Sequence, residues 1–216
     1  MTIKEMRTSL GDTQSAFSQR YGIPYRTIQN WESGINIPPA YVVALLEQRV
    51  KSDLVNRRLY ALQEWDPQKK TLPSQDDFNT PIEWLIAVRD ILGEDIVYAL
   101  DSALICSGYY LGRMGDDTVW AYCNRDFPEY NGVYIIGTAP HEEDILESHG
   151  LRYTTFNRTL NDALANEKIL DMQGMTEAMN RYYYFNQESF RGLCVLPEEE
   201  SLFSQMKEDA IGYYSA

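Results

Sequence analysis

Residues 10–39 constrain the fold more than any other part of the chain, because their pattern is that of two short amphipathic helices separated by a glycine. Thr13 is a favoured N-cap residue at the start of the first helix. Gly22 stands where a turn between crossed helices requires a positive φ angle, which glycine adopts without steric cost. The second helix is expected from Pro24 to Ser33, since proline is tolerated in the first turn of a helix. The stretch therefore predicts two short helices that cross at a tight turn.

The flanking residues extend this pair to an all-α domain of five short helices, expected over residues 1–65. Apolar residues recur with helical spacing before the pair, which predicts a first helix with one buried face over residues 2–10. Closing helices are expected over residues 40–50 and from there to about Trp65. The residues expected to be buried in the first and third helices are Ile3, Met6, Leu10, Ile28 and Trp31.

Several residues occur in this domain at spacings that identify a family. They are Arg7, Thr13-Gln14, Gly22-Ile23, Thr27-Ile28, Trp31-Glu32, Gly34 and Pro38. On this pattern, residues 1–50 resemble the helix-turn-helix of the Cro/C1/Xre group of transcriptional regulators. Two positions depart from it: Ser18 stands where the family usually has alanine, and Pro24 where it usually has a Ser or Thr cap. Neither is expected to prevent the fold, although Pro24 removes a side-chain cap and alters how the third helix meets a phosphate.

The resemblance implies that the third helix enters the major groove of DNA. Arg26 would bind guanine O6 and N7, and Asn30 would pair with adenine N6 and N7. The implied base-reading residues are Tyr25, Arg26 and Asn30, and the implied phosphate contacts are Gln14, Thr27 and Gln29. Arg7 and Glu32 match the positions of a structural ion pair between helices. Three alternatives stay open: Arg26 is a solvated surface charge, Tyr25 packs against protein, or the whole motif contacts only protein.

Charge is distributed unevenly along the chain, whose formal net charge is −13. Residues 1–58 carry eight Lys and Arg against five Asp and Glu, whereas the remaining residues carry eleven against twenty-seven. This split indicates a basic DNA-binding unit on an acidic unit that faces away from DNA or towards a basic partner. Since one basic unit of about +3 would bind DNA weakly, a homodimer is expected on double-stranded operator DNA, with half-sites about one helical turn apart.

Residues 66–80 contain prolines and no apolar periodicity, which predicts a linker before a second domain over residues 81–216. This second domain is expected to be α+β with a small sheet. Its first helix is expected from Thr80 to Gly93, and residues 96–111 are expected to form a buried helix. The first helix is expected to bury Ile82, Leu85, Ile86 and Ile91.

Three segments of the second domain have strand composition. Residues 118–124 and 132–137 are rich in β-branched and aromatic residues and predict two strands joined by a turn. Residues 151–156 predict a third strand, after a short helix or loop over residues 140–150. Helices are expected over residues 157–169, over residues 175–186 and after Pro197.

Two short motifs of the second domain carry another resemblance. Ser102-Ala103-Leu104 with Gly108 is followed by the strands and then by the segment from Asn157 to Ala163, which contains Arg158-Thr159 and Asp162. Together they resemble the body of AbiEi-type antitoxins. That family implies an antitoxin that represses its own operon and a nucleotidyltransferase-like toxin as functional partner, with or without direct binding.

The sequence shows no phosphate-binding loop, nucleophile elbow or zinc-protease motif, so neither enzymatic activity nor a cofactor is expected. His141 and the acids at 142–144 have metal-binding side chains, but consecutive acids do not share a helix face, so no metal site is expected. Arg158 and Asp162 are four residues apart, which predicts a surface ion pair or a helix-orienting contact.

The cysteines and the hydropathy pattern indicate a cellular location. The three cysteines, Cys106, Cys123 and Cys194, are odd in number and far apart, so reduced and mostly buried thiols are expected. No run of eighteen apolar residues predicts a membrane helix, and no signal-sequence pattern opens the chain. A cytoplasmic protein is therefore expected.

These observations predict a DNA-binding transcriptional regulator, an autorepressing antitoxin of a toxin–antitoxin or abortive-infection operon. The alternative is a ligand-sensing repressor whose second domain binds a small molecule and changes dimer geometry. A third hypothesis, an enzyme with a DNA-binding appendage, lacks a cluster of catalytic residue types.

Overall fold

Helices make up the N-terminal quarter of the chain, and a mixed α and β region follows. A computed structural model of the protein describes all residues except 56–64, 111–116, 126, 128, 138, 168–169, 171 and 214–216. The described residues form nine α-helices, α1–α9, and one five-stranded sheet, β1–β5. We call residues 1–55 the head and residues 65–213 the body.

The head contains four helices in its described residues, where the sequence predicts five by residue 65. They are α1 (Ile3–Ser9), α2 (Gln14–Tyr21), α3 (Tyr25–Glu32) and α4 (Ala40–Val55). A capping box between Thr2 and Glu5 begins α1. The predicted closing helix over residues 40–50 and the first part of its predicted continuation form one helix, α4, which reaches Val55. The predicted continuation to Trp65 falls on residues 56–64, outside the described residues.

An apolar core holds the head helices together. The buried residues are Ile3, Met6, Leu10, Phe17, Ile28, Leu46 and Val50. The rings of Phe17 and Tyr21 meet edge to face, with centroids 4.7 Å apart, and this contact packs one face of α2. Trp31 was predicted to be buried but is only half-buried, packed against this core without being enclosed by it.

The body is organised around the five-stranded sheet. Its helices are α5 (Pro81–Leu92), α6 (Leu100–Cys106), α7 (Phe156–Leu164), α8 (Gln173–Phe185) and α9 (Glu200–Gly212). Its strands are β1 (Val97–Tyr98), β2 (Val119–Tyr122), β3 (Val133–Ile135), β4 (Ile145–Ser148) and β5 (Leu151–Thr154), in the order β3-β2-β1-β5-β4. β1 pairs antiparallel with β2 and parallel with β5, while β4 and β5 are antiparallel. The predicted α+β class is therefore confirmed.

Two predictions about the sheet are wrong. Residues 96–111 do not form one buried helix, because Val97 and Tyr98 form the central strand β1 before α6 begins at Leu100. A strand covered on both faces is as continuously apolar as a buried helix, so composition did not separate the two. β2 and β3 are not joined by a hairpin turn, since they run parallel with Val119 opposite Val133.

The predicted helix or loop over residues 140–150 contains a 3₁₀ turn (Glu142–Asp144) followed by β4.

The predicted helix after Thr80 is present as α5. Thr80 and Glu83 form a capping box, and the helix ends at Gly93. Its buried face differs from the predicted one: Ile82 and Ile86 are partly buried, whereas Ile91 is 45% exposed. The fully covered residues are Trp84, Leu85, Val88 and Leu92. Trp84 Nε1 donates a hydrogen bond to the Pro73 carbonyl at 2.7 Å, so α5 is joined to the segment that precedes it.

Arg158 and Asp162 on α7 were predicted to form a surface ion pair or a helix-orienting contact; the pair is present but buried, so the surface alternative is wrong. Arg158 Nε lies 3.0 Å from Asp162 Oδ2, and their side chains are 7% and 0% exposed. Tyr122 on β2 closes the group, because its hydroxyl accepts from Arg158 Nη2 at 2.7 Å and donates to Asp162 Oδ2 at 2.8 Å. The helical spacing brings the two charges together, but residues distant in sequence bury them.

Candidate nucleic-acid interface

The two crossed helices of the head are set by local features of the sequence. Thr13 caps α2 by accepting a hydrogen bond from the Ala16 N–H. Gly22 ends α2 in the left-handed region, at φ 64°, where its N–H bonds back to the last turn. Ser18, which replaces the usual alanine, donates to the Ile23 carbonyl at 2.6 Å and so fastens the turn. No side-chain hydrogen bond caps α3 at Pro24, and the Thr27 N–H donates to the Pro24 carbonyl at 2.8 Å.

An ion pair connects α1 to the end of α3. Arg7 Nε lies 2.7 Å from Glu32 Oε1, and Arg7 Nη2 donates to Glu32 Oε2 at 3.1 Å. Gln14 Nε2 donates to the same carboxylate at 2.8 Å. Burial alone would raise the pKa of Glu32, but hydrogen bonds from Arg7 and Gln14 and the charge of Arg7 hold it below its usual value. Glu32 therefore stays ionised and neutralised within the protein.

An open groove of about 440 Å³ lies between α1, α2 and the exposed side of α3. Its lining residues are Lys4, Gln14, Arg26, Gln29, Asn30, Glu32, Ser33 and Ile35. Four residues with DNA-contacting roles implied by the sequence, namely Gln14, Arg26, Gln29 and Asn30, thus share one concave surface. Tyr25 and Thr27 are outside this lining.

Most of the described Lys and Arg side chains of the head form ion pairs with Asp or Glu. Arg7 pairs with Glu32, Arg20 with Asp12, and Arg49 with Asp53. Among the cations of residues 1–55 whose side chains are described, Lys4 and Arg26 stand outside these ion pairs, and both line the groove. Because Arg7 neutralises Glu32, the groove carries net positive charge. This is the electrostatic character that an anionic ligand requires.

The remaining candidate residues lie on neighbouring parts of α3. Tyr25 is 47% exposed, and its hydroxyl accepts from Gln29 Nε2 at 3.1 Å. A base-reading candidate and a phosphate candidate are therefore paired on one side of the helix. Thr27 is half-buried on the other side. Gln14 has one amide hydrogen directed to Glu32, which leaves its second N–H for another acceptor.

Sequence reasoning missed Lys4, Ser33 and Ile35 as groove residues. Lys4 lies on the exposed side of α1, next to the buried residue Ile3, so the helical period could have placed it opposite the core. Ile35 is 71% exposed and follows α3 outside any helix. No periodic signal identifies a residue in such a segment.

A family model described as helix-turn-helix matches residues 3–54. Neither a search of curated proteins nor a search of solved structures returns a match. Among the described residues, no helix has both the length and the apolar character needed to span a membrane. Residues 3–54, which contain α1–α4 and the groove, are thus similar to the helix-turn-helix family, and this similarity supports a DNA-binding transcriptional regulator.

Proposed function

We propose that the protein is a sequence-specific DNA-binding transcriptional regulator that reads the major groove with α3. One observation carries the proposal: the two unpaired cations described in the head, Lys4 and Arg26, converge on a groove that also contains Gln14, Gln29 and Asn30. Side chains of this type recognise phosphates and base edges together. The match of residues 3–54 to the helix-turn-helix family supports the same function.

The roles of the groove residues follow from their chemistry. Arg26 binds a guanine through O6 and N7, and Asn30, one helical turn further on, binds an adenine through N6 and N7. Tyr25 stacks on or contacts a neighbouring base, held in place by its bond to Gln29. Gln14, Thr27 and Gln29 contact phosphates, as does Lys4 at the edge of the groove, and so fix the register of the head on the duplex.

A second copy of the chain is part of the proposal. The head has few cations, so one copy neutralises few phosphates and two copies at adjacent half-sites are needed for tight binding. The head also exposes three apolar side chains spaced four residues apart in the sequence, Ile37, Tyr41 and Leu45, which are 91%, 69% and 62% exposed and which we call the apolar stripe. We assign this stripe to contact with the same stripe of the second copy, as a two-fold interface requires. Leu45→Glu should then lower the sedimentation-derived dimer fraction, whereas an unchanged fraction would reject this interface.

Binding to DNA upstream of its own gene tests the proposed function. The affinity of the full chain is measured by fluorescence anisotropy for that fragment and for a scrambled fragment of equal length. The proposal expects tighter binding to the upstream fragment and a linear fall of log affinity with log salt concentration. Equal affinity for both fragments, or binding independent of salt, would refute it.

We further propose that the regulator is the autorepressing antitoxin of a toxin–antitoxin or abortive-infection operon. This finer proposal is supported by the two motifs of the body, Ser102–Leu104 and Asn157–Ala163, which lie on α6 and α7, and these helices pack against each other. The expected partner is a nucleotidyltransferase-like toxin encoded by the neighbouring gene. Expression of that gene alone should arrest growth, and co-expression of this protein should restore it. A neighbouring product without effect on growth would reject the antitoxin role and leave DNA binding untouched.

A further inference from the structure

The head lies directly against the body at the loop between α1 and α2. Gly11 has φ +70°, and a Cβ atom at this position would stand 3.0 Å from Asn161 Oδ1 and 3.2 Å from the Cys194 carbonyl oxygen. The opposing surface is firmly held, because Asn161 Nδ2 donates to the carbonyls of Asn157 and Cys194 at 2.8 and 2.7 Å. A glycine is therefore required at this contact for the two backbones to approach.

A chain of alternating charges runs through the same contact. In the head, Arg20 Nε lies 2.7 Å from Asp12 Oδ2, and Arg20 Nη2 reaches across to Asp144 Oδ2 in the body at 3.0 Å. Asp144 Oδ2 also lies 3.3 Å from Arg158 Nη1, and Arg158 continues to Asp162. The exposed fractions of the five side chains are 3% for Arg20, 5% for Asp12, 16% for Asp144, 7% for Arg158 and 0% for Asp162.

Electrostatics and hydrogen bonding stabilise the charged form of Arg20 in this position. Burial alone would lower the pKa of Arg20, but its hydrogen bonds to Asp12 and the charges of Asp12 and Asp144 raise it above its usual value. The guanidinium is thus fixed as a cation between an acid of the head and an acid of the body.

This contact can open without leaving a lone charge on either side. When head and body separate, Arg20 keeps Asp12, and Arg158 keeps both Asp162 and Tyr122. Only Asp144 loses one of its two cations, and it is the most exposed member of the chain of charges.

We propose that Arg20 and Asp144 form a reversible latch that holds the DNA-reading head in one orientation on the body. Arg20 lies in the last turn of α2, and Gly22 connects α2 to α3. The latch therefore holds the position of α2, the helix that precedes the proposed DNA-contacting helix α3. On the body side, Asp144 is held by Arg158 of α7 and, through Asp162 and Tyr122, by strand β2. A displacement of α7 or β2 would therefore move Asp144 and be passed to the head through Arg20. The latch does not depend on the proposed DNA-binding function.

Distance measurements between two spin labels test the latch. The labels are attached to cysteines that replace Ser15 on α2 and Gln205 on α9, which are both exposed. The full-length protein also carries Cys194→Ser, because Cys194 is the exposed native thiol, whereas Cys106 and Cys123 are buried. Electron–electron double resonance then gives the distribution of head-to-body distances. With the doubly labelled protein diluted into unlabelled protein, so that distances within one copy are measured, the latched protein should show one narrow peak.

Asp144→Asn should widen this distribution at least twofold, because an amide attracts Arg20 only weakly. Hydrogen exchange of α7 and β2 should stay at the wild-type rate, since Arg158 keeps Asp162 and Tyr122. Glu142→Gln is the matched control: it removes an acid two residues away whose partner, Arg152, lies on the surface of the body, and it should leave the peak narrow. Gly11→Ala should also widen the peak, because its methyl group would crowd Asn161 and the Cys194 carbonyl. This variant leaves the residues of every ion pair unchanged. A narrow wild-type-like peak in Asp144→Asn would overturn the latch.

Discussion

Replacing Glu32 by glutamine tests whether one carboxylate holds three helices of the head together. Glu32 accepts three hydrogen bonds, two from Arg7 at 2.7 and 3.1 Å and one from Gln14 at 2.8 Å. Glutamine has nearly the same shape but no charge, and its amide nitrogen cannot accept. The glutamine oxygen can still accept from Arg7 or Gln14, but the ion pair is lost and at least one of the three donors is left facing an NH2 group, while Arg7 keeps its hydrogen bond to the Asp12 carbonyl.

The magnitude follows from the burial of the pair. The side chains of Arg7 and Glu32 are 15% and 7% exposed. Exposed ion pairs contribute about 0–1 kcal/mol, whereas breaking a buried pair costs about 3–5 kcal/mol. Since this pair lies near the buried limit but still touches solvent, we expect Glu32→Gln to lower the stability of the head by about 2–3 kcal/mol.

Amide hydrogen exchange in α1, α2 and α3 measures this loss in the head alone, near neutral pH. Glu142→Gln is the control, because the Glu142 side chain is 85% exposed and its pair with Arg152 should contribute less than about 1 kcal/mol. If Glu32→Gln changes head protection no more than the control does, the pair does not stabilise the head and the reasoning fails.

The pH dependence of the same pair has a definite sign. The pKa of Glu32 is lowered in the folded head by Arg7 and Gln14, which outweigh the effect of burial. The stabilisation is therefore present above the usual glutamate pKa of about 4.3 and is lost as pH falls through the lower folded value. Glu32→Gln should lack this contribution, so the difference from wild type should shrink on acidification below about pH 4.

Three further predictions concern single positions. Gly22→Ala should destabilise the head by about 1–2 kcal/mol in thermal unfolding, because φ is +64° with open space around it, whereas Gly212→Ala within α9 should be neutral or slightly stabilising. Hydrogen bonds from Arg125 lower the pKa of Asp95 to about 2. Above about pH 4, Asp95→Asn should therefore lower the urea midpoint, and its difference in midpoint from wild type should vanish as pH falls to about 2. Lys4→Ala should weaken binding to any DNA sequence and reduce the slope of log affinity against log salt by about one, measured by anisotropy.

The head was predictable because its signals are local. Thr13, Gly22 and the apolar spacing around Phe17 fix two helices and the turn between them within about twenty residues of sequence. What the sequence did not provide was the environment of each side chain. Trp31 has the helical spacing of a core residue, yet it packs against the core of the head and stays half-exposed.

The body was less predictable because its arrangement depends on distant contacts. β1 has two residues, and only its pairing with β2 and β5 distinguishes it from the start of a buried helix. The parallel pairing of β2 with β3 likewise has no signature in the ten or so residues that join them. Helical spacing predicts that Arg158 meets Asp162, but their burial requires Tyr122 and Asp144, which approach only in the folded chain.

Within the candidate interface, the sequence located the helix but not the whole groove. Gln14, Arg26, Gln29 and Asn30 line it, and Lys4 joins them from α1. Arg26 lines the groove, whereas Arg7 and Arg20 form ion pairs with Glu32 and Asp12. Charge counted along the sequence does not distinguish a paired cation from an available one.

The most direct test of the proposed function compares two arginine variants of equal charge. Arg26 lies in the groove, whereas Arg49 on α4 is outside its lining, is 65% exposed and pairs with Asp53. For Arg26→Ala and Arg49→Ala, the affinity for DNA upstream of the gene is measured against scrambled DNA at one fixed salt concentration. We predict that Arg26→Ala loses about 1–3 kcal/mol of the preference for the upstream DNA while Arg49→Ala retains it. Full preference in Arg26→Ala, or an equal loss in both variants, would contradict base recognition through this groove.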